Sequence, residues 1–364
     1  MLIEVKRFRV WTPPRCRTYR HIFEPVNRTY ARLARFDPLA EYVWNVPAVA
    51  EYYMAMKTTN FGRNGLRFVG VMAVLLVAGI VLSSCSKEPA RTLTIAFSND
   101  LNGEIHTCDC PGENLGGLGR RATFLESVRD TAGDFLLLDG GDIFSSEASF
   151  GVAKADVAIK SMAIMGYNGV VVGEKDFGFG VDYIVNSTSD AGLPVFAANV
   201  YDAKTDELLF TPSSKVEFPS GLRVGIIGVL GDLMILPRQV PAGAVKVTDP
   251  VEAVEREVSA FQGGVDVVVV LAHLPLQKAK DLARRVPSID VVVCGHEGRR
   301  LRKVEREGNA FILQAPLDGW YGGVAFAVLG KEGGIRELTA ELTPLTVRFE
   351  DHQAITELLS AHGL

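Results

Sequence analysis

Four short apolar runs in this chain end on the same punctuation, and they limit the folds open to it. Phe135 to Leu138 runs into Asp139-Gly140-Gly141-Asp142, and Leu93 to Phe97 into Ser98-Asn99-Asp100. Val267 to Leu271 runs into Ala272-His273, and Val291 to Cys294 into Gly295-His296. A continuous apolar run of this length, closed by glycine or a turn residue, reads as a parallel strand buried on both faces. In open α/β sheets, ligand-binding groups sit beyond the carboxyl ends of the strands. A single strand-end Asp is usually a turn former or helix cap. Four such ends together place Asp100, Asp142, His273 and His296 at one edge of a sheet system.

The segments between these runs alternate in kind. Strands are expected at 93–97, 135–139, 169–172, 194–197, 224–230, 265–271 and 289–294. Helices are expected at 120–129, 152–165, 181–189, 250–261 and 276–285, with a loop at 107–119 and a hairpin excursion at 204–218. After His296 the pattern changes to a run of strands at 301–307, 310–315, 322–329 and 335–342, read as antiparallel. Strand–helix alternation followed by strands predicts a layered α/β domain with a mixed second sheet. No internal repeat or low-complexity tract is present.

The first 92 residues have another character. Phe68 to Leu82 is a run of 15 uncharged, mostly apolar residues, preceded by Lys57, Arg63 and Arg67 and followed by Ser83-Ser84-Cys85. A basic start, an apolar core and small residues before a cut make a secretory signal. Leu82-Ser83-Ser84-Cys85 resembles a bacterial lipobox, which implies lipid on Cys85. The alternative is a short membrane anchor left in place. The expected division is an upstream extension at 1–55 that comes from a start codon called too far upstream, a cytoplasmic extension being the alternative, then a signal peptide at 56–84, a tether at 85–92, one domain at 93–345 and a helical tail at 346–364. This places the domain on the extracytoplasmic face of a bacterial envelope, held at the membrane by its anchor.

Charge follows the same division. Residues 1–84 carry 12 Lys+Arg against 5 Asp+Glu, and the remainder 26 against 38. An acidic domain argues against a nucleic-acid polymer as partner. Nothing in the sequence bears on oligomeric state.

Taken in order, the punctuated strand ends resemble the calcineurin-like metallophosphoesterases, and within them the N-terminal catalytic domain of the 5′-nucleotidase family, over residues 93–345. The matching blocks are Asp100-Leu101-Asn102-Gly103, Gly116-Gly117-Leu118-Gly119-Arg120, Gly141-Asp142, Gly173-Glu174-Lys175-Asp176-Phe177, His273, and Gly295-His296-Glu297-Gly298. The resemblance implies a layered α/β/β/α domain with two mixed β-sheets flanked by helices. It also implies a hydrolase of small phosphate esters, which the lipobox would make lipid-anchored, in which divalent ions gather around a shared carboxylate, Asp142, and activate water. Imidazole, carboxylate and amide oxygen suit Mn, Zn or Fe.

The chain departs from the family pattern at three positions. Asn102 and Gly298 stand where the family has histidines, and Lys175 stands where it has its catalytic histidine. Glu174 replaces an asparagine and still offers oxygen. The expected metal ligands are Asp100, Asn102, Asp142, Glu174, His273 and His296, with one ion per chain and, in consequence, slow turnover. The expected catalytic residues are Lys175 and Asp176. Lysine can hold a phosphate as a point charge, or its ammonium can fill the lost metal position beside Asp100 and Asp142. These substitutions keep a second reading open, a non-catalytic relative that binds a phosphorylated ligand or a protein partner. Cys108, Cys110 and Cys294 fall at the same edge, and a disulfide among them is expected over a zinc site.

Overall fold

The computed structural model describes residues 91–108, 114–145, 151–298, 301, 303–331 and 333–364. The upstream extension, the signal peptide, Cys85, most of the tether and Cys110 lie outside the described residues. Among the described residues no helix is long and apolar enough to cross a membrane.

In chain order the first half comprises β1 (Thr92–Ser98), α1 (Leu118–Arg129), β2 (Asp134–Asp139), α2 (Val152–Met165), β3 (Gly169–Val171), a 3-10 turn (Lys175–Phe179), α3 (Val181–Asp190) and β4 (Val195–Phe196). There follow β5 (Val200–Asp202), β6 (Ser213–Glu217), β7 (Arg223–Leu230), β8 (Val245–Val247), α4 (Pro250–Phe261), β9 (Val267–His273), α5 (Leu276–Arg285) and β10 (Val291–Gly295). The last elements are β11 (Glu305–Glu307), β12 (Ala310–Leu313), β13 (Tyr321–Leu329), β14 (Ile335–Pro344) and α6 (Gln353–Ala361).

Two six-stranded mixed sheets result, ordered β14-β13-β1-β2-β3-β4 and β11-β12-β10-β9-β7-β6, with β5 and β8 forming a small separate pair. Strand periodicity builds the layers. Leu93, Ile95 and Phe97 of β1 and Leu136 and Leu138 of β2 face one way and pack against Val224, Ile226, Val267, Val269 and Leu271 of the other sheet. The intervening residues face outward: Ala96 and Leu137 meet the layer of α1, α2 and α3, while Val268, Val270, Ala272 and Val292 meet α4 and α5. The order is therefore α/β/β/α, with both faces of the central strands buried. Local signals set the helices. In α4, Asp249 accepts hydrogen bonds from the N–H groups of Val251 and Glu252, and Pro250 occupies the first turn, where its missing donor costs nothing.

The strands after His296 divide between the sheets instead of forming one antiparallel set. β12 runs parallel to β10 and antiparallel to β11. β13 crosses to the first sheet and pairs antiparallel with β1 and β14. All four residues of β12 are buried, the pattern of a strand covered on both faces. Helix α6 belongs to the same body: Ile355 is fully buried in the core that α1 and α2 line, and Leu358 and Leu359 pack on it.

The two sheets close together at the carboxyl ends of β2 and β10. A Cβ placed on Gly295 would lie 2.0 Å from the Gly140 carbonyl oxygen, so only glycine permits this approach. That contact brings the punctuated ends of both sheets to one place.

Candidate active site

Seven described non-glycine residues have a positive φ, and five of them, Asp100, Asn102, Asp142, His296 and Asp318, belong to the turns at this edge. A left-handed backbone is costly for residues with a Cβ, and such residues concentrate where a site fixes side-chain direction. The turns brace one another. The Asp100 N–H donates to the Gly141 carbonyl, the Asn102 N–H to the Asp142 carbonyl, and the Asp318 N–H to the Asp100 carbonyl.

His273 links the sheets. It is fully buried, and its Nδ1–H donates to the Gly140 carbonyl at 2.7 Å. That bond aims Nε2 into the site, 2.8 Å from Glu174 Oε2 and 3.5 Å from Asp142 Oδ1. His296 stands on the other side of Glu174, with Nδ1 3.2 Å from Oε1, and its ring meets that of His273 edge to face at 5.4 Å. The His296 backbone N–H donates to Asp100 Oδ1 at 3.0 Å, and Asn99 Nδ2 donates to Asp100 Oδ2 at 2.7 Å.

Lys175 is bound at both ends to one carboxylate. Its backbone N–H donates to Asp142 Oδ1 at 3.0 Å, and its Nζ lies 2.8 Å from Asp142 Oδ2. The same ammonium donates to Asn102 Oδ1 at 2.8 Å. Asn102 in turn donates to Asp318 Oδ1 at 3.0 Å.

Asp176 is buried and spends its carboxylate on backbone. Oδ2 accepts from the N–H groups of Asp142 and Gly173, and Oδ1 from that of Phe144. It shapes the Asp142 turn and presents no free oxygen to the site.

Electrostatics reflect four carboxylates, two imidazoles and an ammonium crowded together, with Asp100, Asp142, Asp176 and His273 buried. Burial pushes Asp100 up to about 6, opposed by His273 and helped by Asp142. Burial, joined by the Asp142 charge, pushes Asp176 up to about 8. Burial works against a charge on His273, but Asp142 and Glu174 outweigh it and raise the imidazole to about 10. The Glu174 carboxylate raises His296. Burial opposes ionisation of Glu174 itself, yet bonds from both histidines hold it well below the usual carboxylate range. Burial also opposes the Lys175 charge, and Asp142 overcomes it, holding the ammonium above its ordinary range.

Among the described residues, two groups of side chains could hold an ion, each with its donor atoms within 4.8 Å of one another: Glu174–His273–His296 and Asp100–Asp142–His273. The donor set is imidazole and carboxylate, which suits a divalent transition metal. Asp142 Oδ2 and His296 Nδ1 are buried without a directed hydrogen bond and have only ionic neighbours. The Nδ1–H bond of His273 to a carbonyl is the outer partner that a metal-bound imidazole ordinarily has. These residues fit a cation.

All the residues that the sequence singles out at strand ends meet here. Gly298 offers no ligand, and a Cβ on it would lie 2.1 Å from Leu317 Cδ2, so Leu317 fills that space. The arginines of α1 point elsewhere: Arg120 donates to Asn114, and Arg121 is buried behind the site, where Asp139 and Tyr167 feel its charge. Cys108 is disulfide-bonded, whereas Cys294 is a free, buried thiol whose Sγ donates to the Leu274 carbonyl. It shares the outward parity of Val292 and faces the helical layer, so it joins neither a disulfide nor the site. Sequence reasoning missed Asn99 and Asp318. Asn99 also exchanges hydrogen bonds with the Ala315 backbone, and the only local sign of Asp318 is an ordinary Asp-Gly turn after Pro316.

No family model matches the chain. It is 27% identical over 322 residues to a 2′,3′-cyclic-nucleotide 2′-phosphodiesterase/3′-nucleotidase of Salmonella typhimurium, covering 77% of this chain and 50% of that protein. Among solved structures it is similar to a 5′-nucleotidase precursor of Thermus thermophilus, with TM-score 0.67, 25% identity, and 75% of this chain and 58% of that one covered. It is also similar to a calcineurin-like phosphoesterase of Bacillus subtilis, with TM-score 0.62, 20% identity, and 76% and 97% covered. The chain spans about half the length of the curated relatives it matches, or less. Its fold is that of the calcineurin-like phosphoesterases.

Proposed function

We propose that this chain, with its calcineurin-like phosphoesterase fold, is a metal-dependent hydrolase of small phosphate esters acting at the carboxyl ends of its strands. The observation that carries this reading is the convergence of Glu174, His273 and His296 beside Asp142, in a chain similar to a nucleotide phosphodiesterase and 5′-nucleotidases. A divalent ion held by Glu174, His273 and His296 would polarise a phosphoryl oxygen and lower the pKa of water. His273 keeps its Nδ1 proton on the Gly140 carbonyl and offers Nε2. Lys175 presents an ammonium at the same opening, partly exposed, where it can hold a phosphoryl oxygen by charge. Asp176 acts through the Asp142 turn as a positioning residue. Asp100 and Asn102 fix the His296 turn and the Lys175 ammonium. The membrane anchor at Cys85 and the extracytoplasmic location belong to this proposal as well, supported by the basic–apolar–Cys order of residues 57–85.

One observation favours the second reading. The Lys175 ammonium is paired with Asp142 and donates to Asn102, and because Asp142 holds its pKa above the ordinary range it is a poor acid for a leaving group, an arrangement suited to holding an anion without turning it over. Steady-state hydrolysis of an aryl phosphate by the full chain decides between them. Hydrolysis should vanish after chelation, return with Mn or Zn, and be lost in His296→Ala. Metal-loaded protein that binds inorganic phosphate but hydrolyses nothing would support the binding role. Hydrolysis unchanged by chelation and by His296→Ala would contradict the site.

A further inference from the structure

The two ligand groups share His273 but differ in what already satisfies their oxygens. In Glu174–His273–His296 the charged atoms have chiefly one another as partners: Glu174 Oε2 with His273 Nε2 at 2.8 Å and Oε1 with His296 Nδ1 at 3.2 Å. In Asp100–Asp142–His273 the carboxylates are already engaged. Asp100 receives the His296 N–H and Asn99 Nδ2. Asp142 receives both ends of Lys175, the N–H on Oδ1 and the ammonium on Oδ2. The ammonium completes its shell on Asn102 Oδ1, and Leu317 leaves no room for a further ligand from position 298.

We propose that the Lys175 ammonium is the built-in cation of the Asp100–Asp142 half of this site, so that the chain takes one divalent ion, at Glu174–His273–His296, and none at Asp100–Asp142. The inference rests on the metal-dependent reading above and sharpens it: an anionic ester meets one ion and one ammonium. A second divalent ion at Asp142 would sit against a fixed positive charge in a desolvated place, where repulsion between like charges is poorly screened. The backbone keeps the ammonium there. Residue 175 opens a 3-10 turn whose next two residues, Asp176 and Phe177, are buried, so the side chain starts from a fixed point.

Titration of the metal-free full chain with Mn, followed by elemental analysis and electron paramagnetic resonance, tests this. Wild type should bind one Mn per chain and give the spectrum of an isolated ion. Lys175→Ala should admit a second Mn, bound at least about tenfold more weakly than the first, with a spectrum showing exchange coupling between two ions. Lys175→Arg, which keeps the charge, should remain at one. If Lys175→Ala does not fold, Lys175→Met removes the charge and keeps the volume, and the same second ion is expected. Two coupled ions in wild type, or a single ion in the folded neutral variants, would overturn the proposal and leave the metal reading standing. No bound ion in wild type would overturn both.

Discussion

Strands β9 and β10 carry ionisable residues at both ends, and the two ends treat them differently. At the starts, Asp266 pairs with the Arg223 guanidinium, which lowers its pKa, at the rim of the sheets. Asp290 accepts the Val268 N–H at 2.8 Å and the Ile335 N–H at 3.3 Å. Each carboxylate has its own donors. At the finishes, His273 and His296 meet three carboxylates delivered by other strands, and all share partners. The start of a strand needs only to be terminated, and a local partner does this. The finish holds like charges together away from water, which is unfavourable unless something of opposite sign completes the set. The fold supplies one ammonium, and the imidazoles supply protons or an ion.

The largest expected effect is at the shared histidine. His273→Ala should weaken metal binding by more than about 100-fold, beyond the loss typical of an outer partner. It should also destabilise the fold by about 3 kcal/mol or more, because Glu174 is left without its closest partner. Calorimetric metal titration and denaturant unfolding measure the two. Next is Asp176→Ala, which orphans the N–H groups of Asp142, Gly173 and Phe144. It should cost about 2–4 kcal/mol, since each unsatisfied buried donor costs about 1–3 kcal/mol before relaxation. A loss under about 1 kcal/mol would mean that the Asp142 turn does not depend on it.

Proton linkage gives a third expectation. His273 is raised to about 10 in the metal-free fold. Its protonated form therefore contributes stability that is fully present below the ordinary histidine pKa, near 6.5, and is lost as pH rises through about 10. A metal must displace that proton, so apparent affinity should rise by roughly tenfold per pH unit, per proton displaced, across the same window. Flat affinity between pH 6.5 and 9 would contradict the assignment of Nε2. The smallest effect belongs to the other end of the strands. Asp266→Ala should cost under about 1 kcal/mol, as a rim ion pair does, and leave metal binding unchanged.

The edge that carries the site was readable because four apolar runs stop at Gly, Asp or His, a pattern set by burial on both faces and by sharp turns. The layered fold followed from the alternation of strand and helix. What joins distant strands was not readable. Asn99 and Asp318 act across 216 residues of chain, and nothing in a lone Asn or an Asp-Gly turn encodes that partner. The sequence showed that Gly298 brings no ligand, but only packing shows Leu317 in its place. The sequence predicts a disulfide among Cys108, Cys110 and Cys294; Cys108 is in one, and Cys294 is not its partner. Its position two residues after Val292 already turns its side chain toward the helical layer.

Crystals of the full chain grown with zinc, measured at the zinc absorption edge, would test the account most directly. One anomalous peak per chain is expected, about 2.0–2.2 Å from a Glu174 oxygen and one nitrogen each of His273 and His296, with the Lys175 ammonium still on Asp142. A peak bonded to Asp100 and Asp142 with Lys175 turned away, or no peak at the strand ends, would contradict it.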